Sequence, residues 1–262
     1  MDFRHIRLDE PATGVVRVTL DRHPVNAVNM ELYQEITAVF ESFRTSNYKV
    51  VVLTGSGKTF CAGNDVNEFV AMSPETAEHH MAVARQAFWA LYDCDIPVIA
   101  VVNGPALGTG FALAASCDFI IAGESATFGL PEMNVGVLGG AKFGVRVLPE
   151  LVMRRLFFTG EPMSASEFAR FGAVLDVVAD DVLMERALQF VEKVGSKSGV
   201  ALRMAKQALN AVEPLDLKNG YRIEQTFTVR MAGHPDSKEA ARSMLEKRIP
   251  KFGRSKVTEE AS

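Results

Sequence analysis

The sequence predicts an α/β protein with a helical C-terminal region, and three observations support this fold class. Two unbroken apolar runs, KVVVLTG (Lys49 to Gly55) and IPVIAVVNG (Ile96 to Gly104), have the composition of strands buried on both faces of a sheet. Each run ends in glycine and leads toward a segment with helical periodicity, an order of elements typical of α/β organisation. Beyond about residue 196, every segment has helical rather than strand periodicity.

The elements before this helical region follow in chain order. GVVRVTL (Gly14 to Leu20) alternates in polarity and predicts one strand of an N-terminal hairpin, which ends at the loop DRHPVNAVN. Apolar residues recur at helical spacing from Asn29 to Phe43. Ser73 and Pro74 open another helix that runs to about Asp93, because a capping serine followed by proline is typical of a helix start. DFIIAG (Asp118 to Gly123) predicts a third buried strand.

The chain divides into two predicted regions, a sheet-and-helix core over residues 1–195 and a helical region over residues 196–262. Within the core, Ser164 and Glu167 have the spacing of a capping box, and the helix they open is predicted to end at Gly172. The second region contains the helical segments GVALRMAKQALNAV, LKNGYRIEQTFTVRMAG and SKEAARSMLEKR.

Composition and charge argue against several classes of function. The 262 residues are 48% hydrophobic and carry a net charge of −4 with acids and bases interspersed, so neither a nucleic-acid stripe nor a surface for anionic membranes is indicated. The N-terminus lacks the apolar run of a signal peptide, and no stretch approaches the roughly 20 apolar residues of a membrane helix. We therefore expect a cytoplasmic protein without nucleic-acid or membrane partners.

The three cysteines, Cys61, Cys94 and Cys117, are odd in number, lack CxxC spacing and lie in apolar segments. This pattern favours small buried hydrophobic residues over disulfides, nucleophiles or metal ligands. We therefore expect no metal site.

Two glycine-containing loops, FCAGND and PALGTGF, each follow a buried strand and lead toward a helix. Backbone N–H groups at helix starts are unpaired and point outward, so they can hold an anion or a developing oxyanion. The alternative is that both loops are only tight connections. Neither loop has GxGxxG with a ribose-binding acid, and GxxxxGK[ST] is absent, so nucleotide-binding folds are not indicated.

An acidic residue, Glu132, stands alone in the uncharged stretch ATFGLPEMNVGVLGG. Apolar surroundings would raise the pKa of its carboxyl group toward the range useful for proton transfer. Two alternatives remain, in which Glu132 caps the following helix or pairs with an arginine such as Arg146.

Five ordered blocks of the sequence resemble one family. They are HPVNAVN, VVLTGSGKTFCAGNDV, IPVIAVVNGPALGTGFALAASCDFIIAGESATFGLPEMNVGVLGG, RLFFTGEPMSASEFARFGAV and EKRIPKF. Their order and spacing are similar to those of the enoyl-CoA hydratase/isomerase, or crotonase, superfamily. The resemblance extends from about Val15 to Phe252 and implies acyl-CoA chemistry of the hydratase or isomerase type.

The resemblance implies a crotonase-like fold, with a spiral core of repeated ββα units, perpendicular sheets and a C-terminal helical region that builds homotrimers or homohexamers. It implies an oxyanion hole made by the backbone N–H groups of Asn64 and Thr109, which stabilises a thioester enolate. No separate cofactor is implied, because coenzyme A is carried as part of the acyl-CoA substrate. The positions that match coenzyme A contacts are Val25, Asn26, Ala27, Ala62, Asp65, Lys247 and Phe252.

The sequence departs from the family pattern at two positions. Typical hydratases carry a glutamate where Ala112 stands and a glycine where Thr109 stands. Glu132, which matches the second family glutamate, is therefore expected to be the single acid/base. One carboxylate suffices for double-bond isomerisation, and some relatives that hydrate aryl-conjugated enoyl-CoAs also have only this second glutamate. The Thr109 side chain either offers a hydroxyl group to water or substrate or fills spare room.

Three functions follow from the resemblance and these departures. The first is an enoyl-CoA hydratase or isomerase of fatty acid metabolism or a related pathway, with Glu132 as its acid/base. The second is a non-catalytic acyl-CoA-binding protein that keeps the fold, which the alanine at position 112 would permit. The third is a hydrolase or decarboxylase of a β-dicarbonyl-CoA that uses the same oxyanion hole.

Overall fold

The computed structural model describes residues 3–253 of the chain. Strands and helices are interspersed up to Gly195, and the elements between Gly199 and Leu245 are all helices. The strands are β1 (Ile6–Ala12), β2 (Val15–Leu20), β3 (Val50–Gly55), β4 (Val98–Val102), β5 (Ala106–Leu107), β6 (Phe119–Gly123), β7 (Thr127–Gly129), β8 (Met163–Ser164) and β9 (Asp176–Val178). The α-helices are α1 (Met30–Ser42), α2 (Val66–Ala71), α3 (Pro74–Tyr92), α4 (Thr109–Ser116), α5 (Ala141–Val147), α6 (Glu150–Thr159), α7 (Ala165–Ala169), α8 (Leu183–Gly195), α9 (Gly199–Val212), α10 (Leu217–Ala232) and α11 (Pro235–Leu245).

A six-stranded sheet with the order β1-β2-β3-β4-β6-β9 forms the centre of the protein. β1 and β2 pair as an antiparallel hairpin, and every other neighbouring pair is parallel. A second sheet consists of three short strands in the order β5-β7-β8. In the sequence, β5 directly precedes α4, whereas β7 and β8 follow it. The predicted α/β fold class, the N-terminal hairpin and the helical C-terminal region are confirmed.

Both faces of the large sheet are covered, which explains the unbroken apolar runs of β3 and β4. Side chains alternate between the faces of a strand, so Val51 and Leu53 enter the main core with α1, α3 and α4, whereas Val50 and Val52 face the opposite side. On that opposite side they pack against α8. A strand buried on both faces needs apolar residues at consecutive positions, and this is the pattern of KVVVLTG.

The helix predicted from the capping box at Ser164 and Glu167 begins as expected and ends earlier than expected. Both reciprocal hydrogen bonds of the box are present, but α7 ends at Ala169 rather than at Gly172. The chain continues in a turn in which the Ala173 N–H donates to the Phe168 carbonyl, and Gly172 has a φ of +74°. The glycine therefore closes this turn and not the helix itself.

Buried cations on α9 attach the helical region to the sheet. Arg203, only 2% exposed, donates to the carbonyl oxygens of Phe43 and Ser46. The Lys206 ammonium lies 2.7 Å from Asp118 Oδ2, which also accepts the N–H of Val98 at the start of β4. The proposed boundary between the regions 1–195 and 196–262 stays a prediction, and residues 254–262 lie outside the described part. No helix within residues 3–253 is long and apolar enough to span a membrane.

We expect Lys206→Ala to lower the free energy of unfolding by about 2–4 kcal/mol, because it leaves the Asp118 carboxylate beside a cavity without its partner. Lys193→Ala, at an exposed position of α8, is the control and should change stability by less than about 0.5 kcal/mol. Urea unfolding followed by circular dichroism measures both, and equal stabilities of the two variants would contradict the assigned role of this ion pair.

Candidate active site

A cavity of about 600 Å³ lies between α3, the start of α4 and the segment from residue 132 to residue 143. Most of its lining is apolar, and its two charged side chains are Glu132 and Arg85. Phe88 forms the middle of the wall, stacked on Phe143 with ring centroids 4.7 Å apart. Arg85 lies with its guanidinium 5.6 Å from the ring centroid of Trp89. The cavity can therefore hold an apolar group beside a single carboxylate.

The two glycine loops meet at the floor of this cavity. Cys61 pairs with Ala106 as a parallel bridge, and the Leu107 N–H donates to the Cys61 carbonyl at 2.9 Å. A Cβ atom on Gly110 would lie 2.1 Å from the Cys61 carbonyl oxygen. Gly108 has a φ of +56°, and a Cβ there would lie 2.6 Å from Glu132 Oε1. Gly110 is thus required by close contact between the loops, and Gly108 by its backbone conformation.

The N–H groups of Asn64 and Thr109 have no acceptor among residues 3–253. Asn64 lies in the loop FCAGND. Thr109 is the first residue of α4, where N–H groups have no partner within the helix. Both residues line the cavity. Two unpaired backbone donors therefore lie at the same cavity as the carboxyl group of Glu132.

Glu132 lies in a short 3₁₀ segment, Pro131–Val135, that follows β7. Burial raises the pKa of its carboxyl group to about 7, and its Oε2 is buried without a hydrogen-bond partner among the described residues. Pairing with Arg146 does not occur, because Arg146 lies 2.9 Å from Glu213 and also donates to the Ala115 carbonyl. The carboxyl group is therefore available for proton transfer near neutral pH.

Tyr33 is a polar residue of the site that the sequence did not reveal. Its hydroxyl group donates to Asn64 Oδ1 at 2.5 Å and lies 3.0 Å from Thr109 Oγ1. The ring is 1% exposed, and burial raises the pKa of the phenol well above its ordinary value. Helical periodicity assigns Tyr33 to the apolar face of α1, and only the fold places its hydroxyl group at the cavity.

The proposed coenzyme A positions of the two loops lie side by side. The Ala62 N–H donates to the Val25 carbonyl at 3.0 Å, and the exposed Val25 precedes the half-buried Ala27. Among the five proposed loop positions, the side chains of Asn26 and Asp65 already have partners within the protein. Asn26 is 1% exposed and donates to the carbonyl oxygens of the loop at residues 56–60. Asp65 pairs with Arg22 at 2.6 Å.

The two proposed tail positions, Lys247 and Phe252, follow α11. Lys247 is exposed and Phe252 half-buried. The backbone N–H groups of Lys251 and Gly253 donate to the side chains of Glu239 and Asp236 on α11. No hydrogen bond joins this segment to the loops at residues 25–27 and 62–65 within residues 3–253.

The three cysteines are free and buried, in agreement with their predicted structural role. Burial raises the pKa of the Cys61 thiol to about 12 and that of Cys94 to about 11, so neither is a thiolate nucleophile near neutral pH. Across residues 3–253, no group of three or more His, Cys, Asp or Glu side chains could hold a metal ion.

The raised pKa of Glu132 makes the stability of the protein depend on pH in a defined direction. In the unfolded chain the carboxyl group ionises near its ordinary pKa of 4.5, whereas in the folded protein it ionises near 7, so the charged form opposes folding. Glu132→Gln should therefore match the parent at pH 4 and exceed its unfolding free energy by about 1–2 kcal/mol at pH 8, allowing for partial exposure.

Chemical denaturation at both pH values measures this difference. Glu161→Gln, which removes an exposed carboxylate outside the cavity, is the control, and Glu132→Gln should be the more stable of the two variants relative to the parent at pH 8. A pH-independent effect of Glu132→Gln would contradict the assigned environment of the carboxyl group.

Comparison with known proteins extends along nearly the whole chain. The family model described as "Enoyl-CoA hydratase/isomerase" matches residues 10–255. A curated protein of Mycobacterium tuberculosis, "(7aS)-7a-methyl-1,5-dioxo-2,3,5,6,7,7a-hexahydro-1H-indene-carboxyl-CoA hydrolase", is 39% identical over 86% of this chain and 93% of its own length. A "2,3-dehydroadipyl-CoA hydratase" of Escherichia coli is 34% identical over 91% of this chain and 94% of its own.

Solved structures give the same result for the fold. An enoyl-CoA hydratase from Bacillus anthracis superposes with a TM-score of 0.91 at 31% identity, covering 97% of this chain and all of that one (100%). An enoyl-CoA hydratase subunit from Geobacillus kaustophilus superposes with a TM-score of 0.90 at 33% identity, covering 98% of this chain and 100% of that one. The chain belongs to the enoyl-CoA hydratase/isomerase family and has the crotonase fold.

Proposed function

We propose that this protein is an acyl-CoA enzyme that forms a thioester enolate and transfers protons with Glu132 as its single acid/base. The observation that carries the proposal is the convergence of unpaired N–H groups, from Asn64 and Thr109, with a carboxyl group of raised pKa at one apolar cavity. The substrate is an enoyl-CoA, and the reaction is hydration or double-bond isomerisation. Coenzyme A enters as part of the substrate and not as a separate cofactor.

The chemistry fits these groups. When a base removes the α-proton of a thioester, or a nucleophile adds to its conjugated double bond, negative charge develops on the thioester oxygen. Two fixed N–H donors stabilise this charge without reorganisation, and one such donor is worth about 3–4 kcal/mol in comparable oxyanion holes. A carboxyl group with a pKa of about 7 can both accept and return a proton near neutral pH.

Further parts of the proposal concern coenzyme A, assembly and compartment. Val25, Asn26, Ala27, Ala62 and Asp65 would line the path of coenzyme A, and Lys247 and Phe252 of a neighbouring subunit would enclose its adenosine end. Exposed apolar side chains on α10, α11 and the segment after them support a homotrimer or homohexamer. They are Leu217, Val229, Met244, Leu245 and Ile249. The compartment we propose is the cytoplasm.

Glu132→Gln should reduce kcat about 10²–10⁴-fold with little change in KM, because the amide cannot transfer a proton while the cavity keeps its shape. In the parent, kcat/KM should rise with pH and level off above about 7, since the carboxylate is the form that takes a proton. Product formation from enoyl-CoA thioesters, followed by mass, measures both. Full activity of Glu132→Gln would remove this residue from the mechanism.

Gly108→Ala and Gly57→Ala form a matched pair of variants that tests the close contact between Gly108 and the Glu132 carboxyl group. Both glycines have positive φ, +56° and +71°, so each substitution should lower the stability of the protein. Only at Gly108 does the added Cβ meet Glu132, whereas nothing lies within 4 Å of the position at Gly57. Gly108→Ala should lower kcat/KM at least about tenfold and Gly57→Ala should not. Equal kcat/KM in the two variants would contradict the proposed placement of the carboxyl group.

A hydrolase of a β-dicarbonyl-CoA is the second candidate function. Two relatives support it, the M. tuberculosis hydrolase at 39% identity and a Rhodococcus jostii protein of the same name at 37% identity. The same oxyanion hole would then hold the oxyanion formed when water attacks a carbonyl carbon. Incubation with a cyclic β-diketone thioester and with 2-enoyl-CoAs separates the candidates by product mass. Tight binding of both probes without any product would favour a non-catalytic acyl-CoA-binding protein instead.

A further inference from the structure

The cavity wall is apolar at one position beside the two N–H donors. Ala112 lies one helical turn beyond Thr109 on α4, and both residues line the cavity. The methyl group of Ala112 supplies no polar atom, so a second acid/base from this position is excluded. One polar atom at the cavity nevertheless lacks a hydrogen-bond partner, because Glu132 Oε2 is buried without one in the described residues.

The hydrogen bonds of Tyr33 fix which way the Thr109 hydroxyl group points its proton. Asn64 Oδ1 is a carbonyl oxygen and can only accept, so the single phenolic proton of Tyr33 is used in that bond. The remaining bond, 3.0 Å between the Tyr33 oxygen and Thr109 Oγ1, then requires the proton of Thr109. The lone pairs of Thr109 Oγ1 are therefore left to accept a hydrogen bond.

A buried water molecule needs two to four polar partners and about one probe sphere of space. The cavity of about 600 Å³ provides the space, and the Thr109 and Glu132 side chains provide acceptors at its wall. Both groups can accept a hydrogen bond, and one water molecule donates two. An isomerisation that only moves a proton along the acyl chain has no use for a water held in this way.

We propose that the Thr109 hydroxyl group and the Glu132 carboxylate together hold the reacting water, and that the enzyme adds this water to the β-carbon of an enoyl-CoA. The inference rests on the proposed function and deepens it by choosing hydration. Thr109 is then a catalytic residue through its side chain as well as its N–H. Tyr33 is a positioning residue, because it acts on the water only through Thr109.

The step balances with one carboxylate. One proton of the water passes to Glu132 while the water oxygen bonds to the β-carbon, and the electron pair of the double bond moves to make the thioester enolate. Glu132 then returns this proton to the α-carbon, and the enolate collapses to the thioester. The second water proton, directed at Thr109 Oγ1, stays on the oxygen as the hydroxyl group of the 3-hydroxyacyl product.

The test compares water addition with α-proton exchange in the same variants. Water addition is measured as 3-hydroxyacyl product from straight-chain and aryl-conjugated 2-enoyl-CoA thioesters. Exchange is measured in D₂O as deuterium uptake at the α-carbon of the matching saturated acyl-CoA, which needs Glu132, the N–H donors and solvent deuterons but no bond from water to the β-carbon. The ratio of the two rates isolates the water-holding group from a general disturbance of the site.

Thr109→Val, which keeps the shape and the N–H but lacks the hydroxyl group, should lower this ratio about tenfold or more. Thr109→Ser, which restores the hydroxyl group, should return the ratio to within about threefold of the parent. Tyr33→Phe should lower the ratio by a smaller factor, since Thr109 Oγ1 then loses its fixed orientation.

Three outcomes would overturn the inference. They are an unchanged ratio in Thr109→Val, an equal loss of both reactions in that variant, and a parent that exchanges α-protons but hydrates no thioester of the series. In the last case the proposal that Glu132 forms the enolate would be kept, and the proposal of hydration would be rejected. Absence of hydration, isomerisation and exchange in the parent would instead contradict the proposed function itself, so the two failures are distinguishable.

Discussion

Close backbone contact between the loops FCAGND and PALGTGF is the constraint on which the site depends. Gly110 lies against the Cys61 carbonyl so tightly that any side chain there would collide with it, and the Cα of Gly63 would lie 3.6 Å from a Cβ on Gly108. The hydrogen bonds Cys61 N–H to Pro105 O and Leu107 N–H to Cys61 O hold the loops in register. Because the proposed oxyanion donors belong to the backbone, their positions are set by this contact and not by rotamers.

The same contact determines where the carboxyl group can lie. Glu132 Oε1 occupies the space that a side chain on Gly108 would fill, so the glycine that shapes the start of α4 also makes room for the acid. The carboxyl group is enclosed by apolar lining and has an unpartnered oxygen, and this environment raises its pKa to about 7. A structural role alone would favour a paired or solvated carboxylate, so the unfavourable environment is best explained by function.

Much of the fold and part of the site can be predicted from the sequence, for identifiable reasons. β3 and β4 are recognisable because burial on both faces demands consecutive apolar residues, and Glu132 is recognisable because it is the lone charge in an apolar stretch. Tyr33 is not, since helical periodicity records only that a residue faces the core and not what its hydroxyl group meets. The end of α7 at Ala169 was missed because Gly172 closes a turn beyond the helix.

Glu132 is the one carboxyl group among the residues that line the cavity, and Ala112 supplies only a methyl group. With two acids, one can be tuned to take a proton and the other to give one, so their pKa values are free to diverge. A single group that performs both steps is most effective when its pKa lies near the working pH, where the acid and base forms are equally populated. The pKa of about 7 at Glu132 meets this requirement, and it arises from burial in the apolar cavity that Ala112 helps to line. The apolar lining of the cavity therefore sets the pKa that the proposed single acid/base requires.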